Sequence, residues 1–384
     1  MTVAQNPEIG DGCAFAPAPP GYLDALGGSP LLPAAVAARR AAEEIAWADP
    51  ARLHHAGRTA GLVLDSARAS IARLLGVRPS EVHLTSSVRA ALEFGLTGLL
   101  ATRPTGAIAL SAVESLTLFE AADHSARAVE VMPVDSFGRV MLESIPEQPD
   151  WAVACLQAAN LEVGTRQPVD HLATLLDPHG IPLLVDATAC PARIALPAGW
   201  TALAVSARDW GGPAGVGALV IRQGTSWVSP PGSERGWLGG FPDIPSAASA
   251  GIAAETIEPA WEAEARRAHG LIARIRTAIA DGIPDVDIVG APEDRLPHVV
   301  TFSALYCSGE AVVTELDRRG IAVASGSACV SDTERPSHVL AAMGALTGGN
   351  VRVSLPFGCT DETVDHFIRE IPDVINSVRA DAGI

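Results

Sequence analysis

Residues 203–221 read LAVSARDWGGPAGVGALVI, two short apolar runs separated by a segment rich in glycine and proline. The runs Leu203–Ala207 and Ala218–Ile221 have the length of buried strands. Glycine and proline between them mark a turn, because glycine adopts backbone angles closed to other residues and proline fixes its own φ. The stretch therefore predicts two strands joined by a turn.

Similar apolar runs recur towards the N-terminus, each bounded by turn residues. They are Val82–Thr85, Ala107–Val113, Val129–Val134, Ala152–Gln157 and Leu183–Asp186. Segments with helical apolar spacing precede or separate them, among them Ala35–Trp47, Thr59–Leu75, Ala90–Leu100 and His171–Leu176. Such alternation predicts an α/β domain with a mainly parallel sheet.

A long helical pattern from about Ala260 to Ala280 leads into a second region. Its predicted elements are strands at Val299–Ala304, Ala322–Ala324 and Val351–Leu355 and helices at Glu310–Arg319, Ser337–Met343 and Asp361–Val378. We expect a smaller α+β domain here. The predicted division is an N-terminal arm of residues 1–20, a large domain of residues 21–258 and a small C-terminal domain of residues 259–384.

None of the 384 residues is lysine, so all 27 of the Lys+Arg positions are arginine. Lysine is the side chain that forms Schiff bases with carbonyl groups. Arginine cannot replace it, because its guanidinium stays protonated. A GC-rich genome that favours alanine, glycine, arginine and proline codons is an alternative reason for the absence. In either case the function must proceed without a lysine side chain.

Composition excludes several classes of protein. A formal net charge of −17 argues against nucleic-acid binding, which requires a basic surface. Apolar runs fall short of the roughly 18 residues that a membrane helix needs. The first arginine is Arg39, so no signal peptide is expected. Six scattered cysteines without CxxC spacing predict neither a metal site nor a disulfide framework, and the reducing cytoplasm is the expected location.

The segment ASGSAC at Ala324–Cys329, followed by Pro336–Leu340, is the most specific signal for chemistry. A cysteine in a loop of glycine and serine can stay accessible, as a nucleophilic or sulfur-carrying thiol must. The alternative is a buried structural cysteine.

This loop resembles the mobile cysteine loop of group I (NifS/IscS-like) cysteine desulfurases, in the class V aminotransferase family. The resemblance extends from about Tyr22 to Val378. The other matching segments are Leu53–Arg58, Asn160–Thr165, Val185–Ala187, Gly211–Leu219 and Val351–Leu355. It implies the fold-type I fold of enzymes that use pyridoxal phosphate (PLP), with a large domain built on a mainly parallel doubly wound sheet, a small α+β C-terminal domain, and a homodimer.

The resemblance also implies roles for individual residues. Asp186 would bind the pyridine nitrogen of PLP and Asn160 would contact the cofactor. Arg352 would hold the substrate carboxylate, and Cys329 would carry sulfur as a persulfide. Ser206 begins the run Ser206-Ala207-Arg208-Asp209, which stands where the family has a run ending in the Schiff-base lysine. Asp209 therefore replaces that lysine.

Other departures concern the cofactor's remaining contacts. Ser115 stands in place of the stacking histidine, Ala189 in place of the glutamine at the ring oxygen, Thr85–Arg89 in place of a Gly-Thr phosphate loop, and Phe241 in place of a threonine that the partner subunit gives to the phosphate. A buried phosphate needs hydrogen-bond donors or cations. Arg89 and Arg208 could restore positive charge.

These losses predict that the chain has no cofactor, with PLP or pyridoxamine phosphate held non-covalently as the alternative. Lysine-based Schiff-base catalysis is not expected. The hypotheses are a pseudoenzyme that pairs with an active cysteine desulfurase or its sulfur acceptor, a sulfurtransferase that uses Cys329, and an enzyme with a non-covalent cofactor. Cys329 and Arg352 could also be inherited remnants. No nucleic acid, membrane or metal partner is expected.

Overall fold

The computed structural model describes residues 15–325 and 336–383. A seven-stranded sheet with the order β1-β7-β6-β5-β4-β2-β3 forms the centre of the larger part. Its strands are β1 (Val82–Thr85), β2 (Ala107–Ser111), β3 (Val129–Met132), β4 (Trp151–Gln157), β5 (Leu183–Asp186), β6 (Ala202–Ser206) and β7 (Gly217–Ile221). Strands β2 to β6 run parallel, and β7 is antiparallel to both β6 and β1. The predicted α/β fold with a mainly parallel sheet is confirmed.

Helices cover both faces of this sheet. They are α1 (Pro33–Ile45), α2 (His55–Leu75), α3 (Val88–Leu100), α4 (Leu116–His124), α5 (Val169–Leu176) and α6 (Ile244–Ile257). Helix α6 packs against α1 and α2 over one face, and α3 and α4 close the other face with a separate apolar cluster around Leu96 and Ile108. Strands β2, β4, β5, β6 and β7 are therefore buried on both sides, which explains their almost unbroken apolar sequence, whereas the edge strand β3 is largely exposed.

The turn between β6 and β7 is rigidly held. Trp210 is fully buried, and its indole Nε1 donates a hydrogen bond to the Ala250 carbonyl at 3.0 Å. Gly211 follows with φ +79°, a conformation that glycine adopts without strain. At Gly217 a side chain is excluded, since an added Cβ would lie 2.4 Å from the Ser87 carbonyl carbon. The glycines thus let this turn lie against the start of α3.

A second sheet belongs to the C-terminal part of the chain. Its elements are α7 (Trp261–Gly282), β8 (Val286–Val289), β9 (Val299–Ala304), α8 (Gly309–Arg318), α9 (His338–Met343), β10 (Asn350–Ser354) and α10 (Asp361–Asp381). The strands are antiparallel in the order β10-β9-β8, and α7, α8 and α10 bury their apolar stripes against them around Phe302 and Phe367. The predicted strand Ala322–Ala324 makes only isolated bridges.

The N-terminal segment joins this second part. Leu23 is fully buried in the C-terminal core. Tyr22 bridges to Ala322, and Asp24 bridges to Ser354. This differs from the prediction that residue 21 begins the large domain, because an isolated apolar leucine gives no signal of the core that it joins.

Among the described helices, none combines the length and apolar character needed to cross a membrane.

Candidate cofactor and substrate site

Asp186 is a buried carboxylate at the end of β5, in the middle of the large sheet. The side chain is 5% exposed, and its Oδ1 accepts hydrogen bonds from the Thr188 amide at 2.9 Å and the Thr188 hydroxyl at 2.5 Å. Burial raises the pKa of Asp186, and the bonds from Thr188 oppose that rise. In open α/β sheets, ligands bind beside the carboxyl ends of parallel strands, where Asp186 lies.

Glu114 is a second buried carboxyl group, just after β2. Its Oε2 accepts the Gln157 amide at 2.8 Å, and its Oε1 accepts the Ser115 amide at 3.2 Å. Burial and the nearby charge of Asp186 raise the pKa of Glu114 to about 8. Glu114 is therefore mostly protonated at neutral pH. The sequence reasoning did not select it, although an acid directly after an apolar strand was a usable signal.

Asp209 lies in the short turn after β6. The Ser206 amide donates to Asp209 Oδ2 at 3.4 Å, the Ser206 hydroxyl accepts the Asp209 amide, and the Ala189 amide also bonds the Asp209 carboxyl group. Burial raises the pKa of Asp209 to about 7, and the charge of Asp186 adds to the rise while Arg208 opposes it. The structure thus brings Asp186 and Asp209 into electrostatic range of each other.

Arg208 and Arg89, which the sequence suggested for a phosphate, contact other groups in the structure. The Arg208 guanidinium donates to the Leu26 and Gly27 carbonyls at 3.2 and 2.5 Å. The side chain of Arg89 is 55% exposed and pairs with Glu120 at 2.8 Å. Arg89 thus extends towards α4 and Arg208 towards the N-terminal segment, and their role at a phosphate stays a prediction.

Asn160 links the ends of β2 and β4. Its Oδ1 accepts the amides of Glu162 and Val163 at 2.9 Å, and its Nδ2 donates to the Val113 carbonyl at 3.2 Å. The residue is 2% exposed. Asn160 therefore fixes the loop that carries Glu162.

Arg352 is a buried cation on β10, with its side chain 9% exposed. Its Nη2 lies 3.5 Å from Asp24 Oδ1. Burial raises the pKa of Glu162, whereas the Ser337 hydroxyl, which bonds Glu162 Oε2 at 2.8 Å, and the charge of Arg352 lower it. A cation and two carboxylates thus meet beside the end of β4.

Several buried polar atoms of this region lack a hydrogen-bond partner within residues 15–325 and 336–383. They are Ser115 Oγ, Glu162 Oε1, Arg193 Nη1, His298 Nδ1 and Arg352 Nε. Buried polar atoms are normally paired, so each of these calls for a ligand or a water.

The residues present fit a PLP-type cofactor without its covalent bond. Asp186 provides a carboxylate for a pyridine nitrogen, and Arg352 retains a donor for a carboxylate. At the start of α3, the Ser87 hydroxyl caps the Ala90 amide, and the amides of Val88 and Arg89 have no carbonyl partner within the helix. A helix N-terminus of this kind binds phosphate. A side-chain amine is absent, since the sequence contains no lysine.

Cys329 lies outside the described residues, so its predicted role is neither placed nor tested by the structure. The backbone before it is anchored, because Ala324 and Arg352 exchange hydrogen bonds at 3.1 and 2.7 Å. After it, His338 Nε2 lies 2.9 Å from the Glu114 carbonyl oxygen. Cys155 and Cys190 are buried.

Comparison with known proteins identifies the architecture. The family model described as Aminotransferase class-V matches residues 21–367. The cysteine desulfurase IscS 1 of Archaeoglobus fulgidus is 32% identical over 353 residues, which cover 87% of this chain and 91% of that protein. A cysteine desulfurase of Cereibacter sphaeroides is 32% identical over 380 residues, covering 94% of this chain and 96% of that protein.

Solved structures agree with the family match. A NifS-like protein superposes with a TM-score of 0.84 at 25% identity, covering 94% of this chain and all of that one. The apo structure of a cysteine desulfurase from Thermococcus onnurineus gives a TM-score of 0.82 at 19% identity, covering 93% of this chain and 95% of that chain, and supports the fold alone. The predicted fold-type I architecture is confirmed.

The expectation that the chain has no cofactor is wrong. The cysteine desulfurases and the aminotransferase family that it resembles depend on PLP. The sequence reasoning gave too much weight to the replaced side chains at Ser115, Ala189 and Asp209. Asp186 and the backbone amides at the start of α3 remain available for a cofactor, and these amides do not depend on side-chain identity.

Proposed function

The chain belongs to the class-V aminotransferase family, and on that premise we propose a cysteine desulfurase-like protein that holds PLP or pyridoxamine phosphate non-covalently and acts in sulfur transfer. One observation carries the proposal. Asp186, a buried group suited to the pyridine nitrogen, lies in electrostatic range of Asp209, which stands after β6 where an amine would be needed, and the buried Arg352 is suited to a carboxylate.

The cofactor contacts would come from rigid elements. Asp186 would pair with the ring nitrogen, because a buried carboxylate favours the protonated ring. The first-turn amides of α3 would hold the phosphate. Ser115, whose Oγ has no partner among the residues that the structure describes, would contact the ring from its position after β2. When bound, PLP supplies an electron sink for bonds at the α-carbon of an amino acid.

The substrate would be an amino acid that carries sulfur. Arg352 would bind its carboxylate by charge-assisted hydrogen bonds. Glu162, whose Oε1 lacks a partner within the described residues and whose pKa responds to the charge of Arg352, would accept a hydrogen bond from the same ligand. The Cys329 thiolate would form an S–S bond to the sulfur of this substrate as its C–S bond breaks, or to the outer sulfur of a persulfide, whose own S–S bond breaks to release a thiolate.

A second candidate function is that of a partner for an active cysteine desulfurase or for its sulfur acceptor. The absence of lysine favours it, since the chain lacks the residue that activates the usual cofactor. A homodimer is also part of the proposal. The side chain of Phe241, 65% exposed on the large domain, would then face the partner subunit.

Cofactor binding is tested by titrating the full chain with PLP and, separately, with pyridoxamine phosphate, following absorbance and calorimetry. We expect saturable binding to wild type and at least about tenfold weaker binding to Asp186→Asn, equivalent to ~1.4 kcal/mol. The exposed Asp123→Asn is the matched control and should bind as wild type. Borohydride should attach no cofactor to a side chain. The proposal would be refuted if neither PLP nor pyridoxamine phosphate binds saturably.

Sulfur transfer is tested by incubating the chain with an active cysteine desulfurase and labelled L-cysteine. Wild type should gain protein-bound sulfur that reductant releases, and Cys329→Ser should gain none. Cys307→Ser is the matched control, because Cys307 is a partly buried cysteine on the small domain. Equal labelling of wild type and Cys329→Ser would exclude the carrier role.

A further inference from the structure

A small cavity adjoins Asp209 on the side of the N-terminal segment. Its volume is about 20 Å³, and its polar lining comes from Arg193, Arg208, Asp209 and His298, with Phe357 beside them. A cavity of more than roughly 10–15 Å³ can hold one water-sized particle. The cavity therefore has room for a single small ligand.

Arg193 is the principal cation of this cavity. The residue is 4% exposed, its Nη2 donates to the Leu355 carbonyl at 3.1 Å, and its guanidinium lies 3.6 Å from the centre of the Phe357 ring. Its Nη1 has no partner in the part of the chain that the structure describes. Burial lowers the pKa of Arg193 to about 10, so it remains charged at neutral pH.

His298 lines the same cavity and is 2% exposed. Its Nδ1 also lacks a partner within the described ranges. Burial, and next the charge of Arg193, lower the pKa of His298 far below its ordinary value. A neutral imidazole can donate one N–H bond, and Nδ1 is available for it.

The charges of Glu264 and Asp209 act on Arg193, but both carboxyl groups are also engaged elsewhere. Glu264 is engaged by the Arg267 guanidinium at 2.9 and 3.1 Å and by the Gly358 amide at 3.1 Å. Asp209, with its pKa raised to about 7, is about half protonated at neutral pH. Burying a cation whose counter-charge is only partial is costly, and a water molecule supplies no charge.

We propose that this cavity binds one small monovalent anion, a halide or hydrosulfide, held by Arg193 and His298. The anion accepts an N–H bond from each of these side chains and neutralises the guanidinium. The site does not depend on the cofactor or on the proposed reaction.

The bound anion connects three parts of the chain. Leu26 and Ser29 of the N-terminal segment, Ala189 and Asp209 of the large domain, and His298 beside the second sheet all line its cavity. The anion also lies next to the residue that replaces the lysine. It favours the protonated form of Asp209, because two negative charges in a buried site repel.

The direct test is diffraction at the bromine absorption edge from crystals of the full chain, grown without chloride and then equilibrated with millimolar bromide. We expect one anomalous peak between Arg193 Nη1 and His298 Nδ1. A peak without anomalous signal would mean a water and would overturn the proposal. A signal that appears only at molar bromide would overturn it equally.

A solution test uses thermal unfolding in bromide against gluconate at equal ionic strength. The wild-type midpoint should rise saturably with bromide, and Arg193→Met should bind bromide at least tenfold more weakly. Arg222→Met is the matched control, because Arg222 also stacks on an aromatic ring, Trp200 at 4.0 Å, and donates to backbone carbonyls away from the cavity.

Should Arg193→Met fail to fold, His298→Leu and the diffraction test decide the question. Hydrosulfide and chloride are then titrated against bound bromide. Displacement at the lower concentration identifies the preferred ion, and displacement by neither overturns the assignment.

Discussion

Arg352 and Asp209 are both buried charges of the candidate site, but their surroundings balance them in opposite ways. Arg352 has carboxylates of opposite sign nearby, Asp24 at 3.5 Å and Glu162. Burial, and to a smaller extent the charge of Asp186, raise the pKa of Asp209 to about 7. Burial disfavours the charged form of a carboxyl group, and a neighbouring like charge adds to that effect. Arg352 Nε, which has no hydrogen-bond partner within residues 15–325 and 336–383, can donate to an anion, and the Asp209 region responds to pH.

The largest expected effect on ligand binding comes from removing the positive charge of Arg352. Arg352→Met should weaken binding of L-cysteine to the chain with PLP by about 30-fold or more, since truncating one partner of a buried charge pair costs ~2 kcal/mol or more. Calorimetric titration measures the change. Arg369→Met, an exposed arginine on α10, is the control. Unchanged affinity in Arg352→Met would remove the carboxylate role from this region.

Asp209→Asn tests whether the Asp209 region responds to pH. The carboxyl group ionises at 3.8 in a model peptide and at about 7 in the folded protein. The folded state therefore binds more protons between these values, and stability falls as pH rises through this window. Between pH 6 and 8 the ionisation of Asp209 should cost wild type on the order of 1 kcal/mol of unfolding free energy.

Urea denaturation at both pH values measures this loss. Between pH 6 and 8, Asp209→Asn should lose less unfolding free energy than wild type, by the amount assigned to Asp209. Glu114, with a pKa of about 8, should leave both proteins with some loss of stability as pH rises. Asp177→Asn, at an exposed position, should behave as wild type. Equal losses in wild type and Asp209→Asn would show that Asp209 is ionised throughout.

The smallest effect concerns the hydroxyl that holds Asp186. Thr188→Val removes the 2.5 Å hydrogen bond to Asp186 Oδ1, so the pKa of Asp186 should rise further and PLP should bind about 2- to 5-fold more weakly, equivalent to ~0.5–1 kcal/mol. Thr188→Ser keeps a hydroxyl and should restore the affinity. A Thr188→Ser variant as weak as Thr188→Val would point to lost packing and not to the hydrogen bond.

Most of the fold could be predicted from local sequence, because buried strands are short apolar runs. Val82–Thr85, Leu183–Asp186 and Val299–Ala304 agree with the structure in both bounds. Helix α6 was missed because it is buried against α1 and α2 and is apolar on nearly every side, so it has no amphipathic pattern. Strand β8 was missed because Asp287 interrupts it at the sheet edge.

The candidate site was predictable where a residue type and a motif coincide, as for Asp186 and Arg352. It was not predictable where the property comes from neighbours distant in sequence. The raised pKa of Glu114 depends on its burial and on the charge of Asp186, and the position of the Arg193 guanidinium depends on packing against Phe357. The orientations of Arg89 and Arg208 likewise follow from Glu120 and the Leu26 carbonyl, which sequence spacing does not reveal.

The insertion of Leu23 into the C-terminal core has a consequence for how the chain folds. The Leu26 amide bonds the Ser354 hydroxyl across 328 residues of sequence, and Asp24 bridges the same residue. Contacts between such distant segments form late and slow folding. On the ribosome the small domain stays incomplete until β10 has emerged and met a segment made 328 residues earlier. Expressed alone, residues 259–384 would leave the Leu23 site of that core exposed to water.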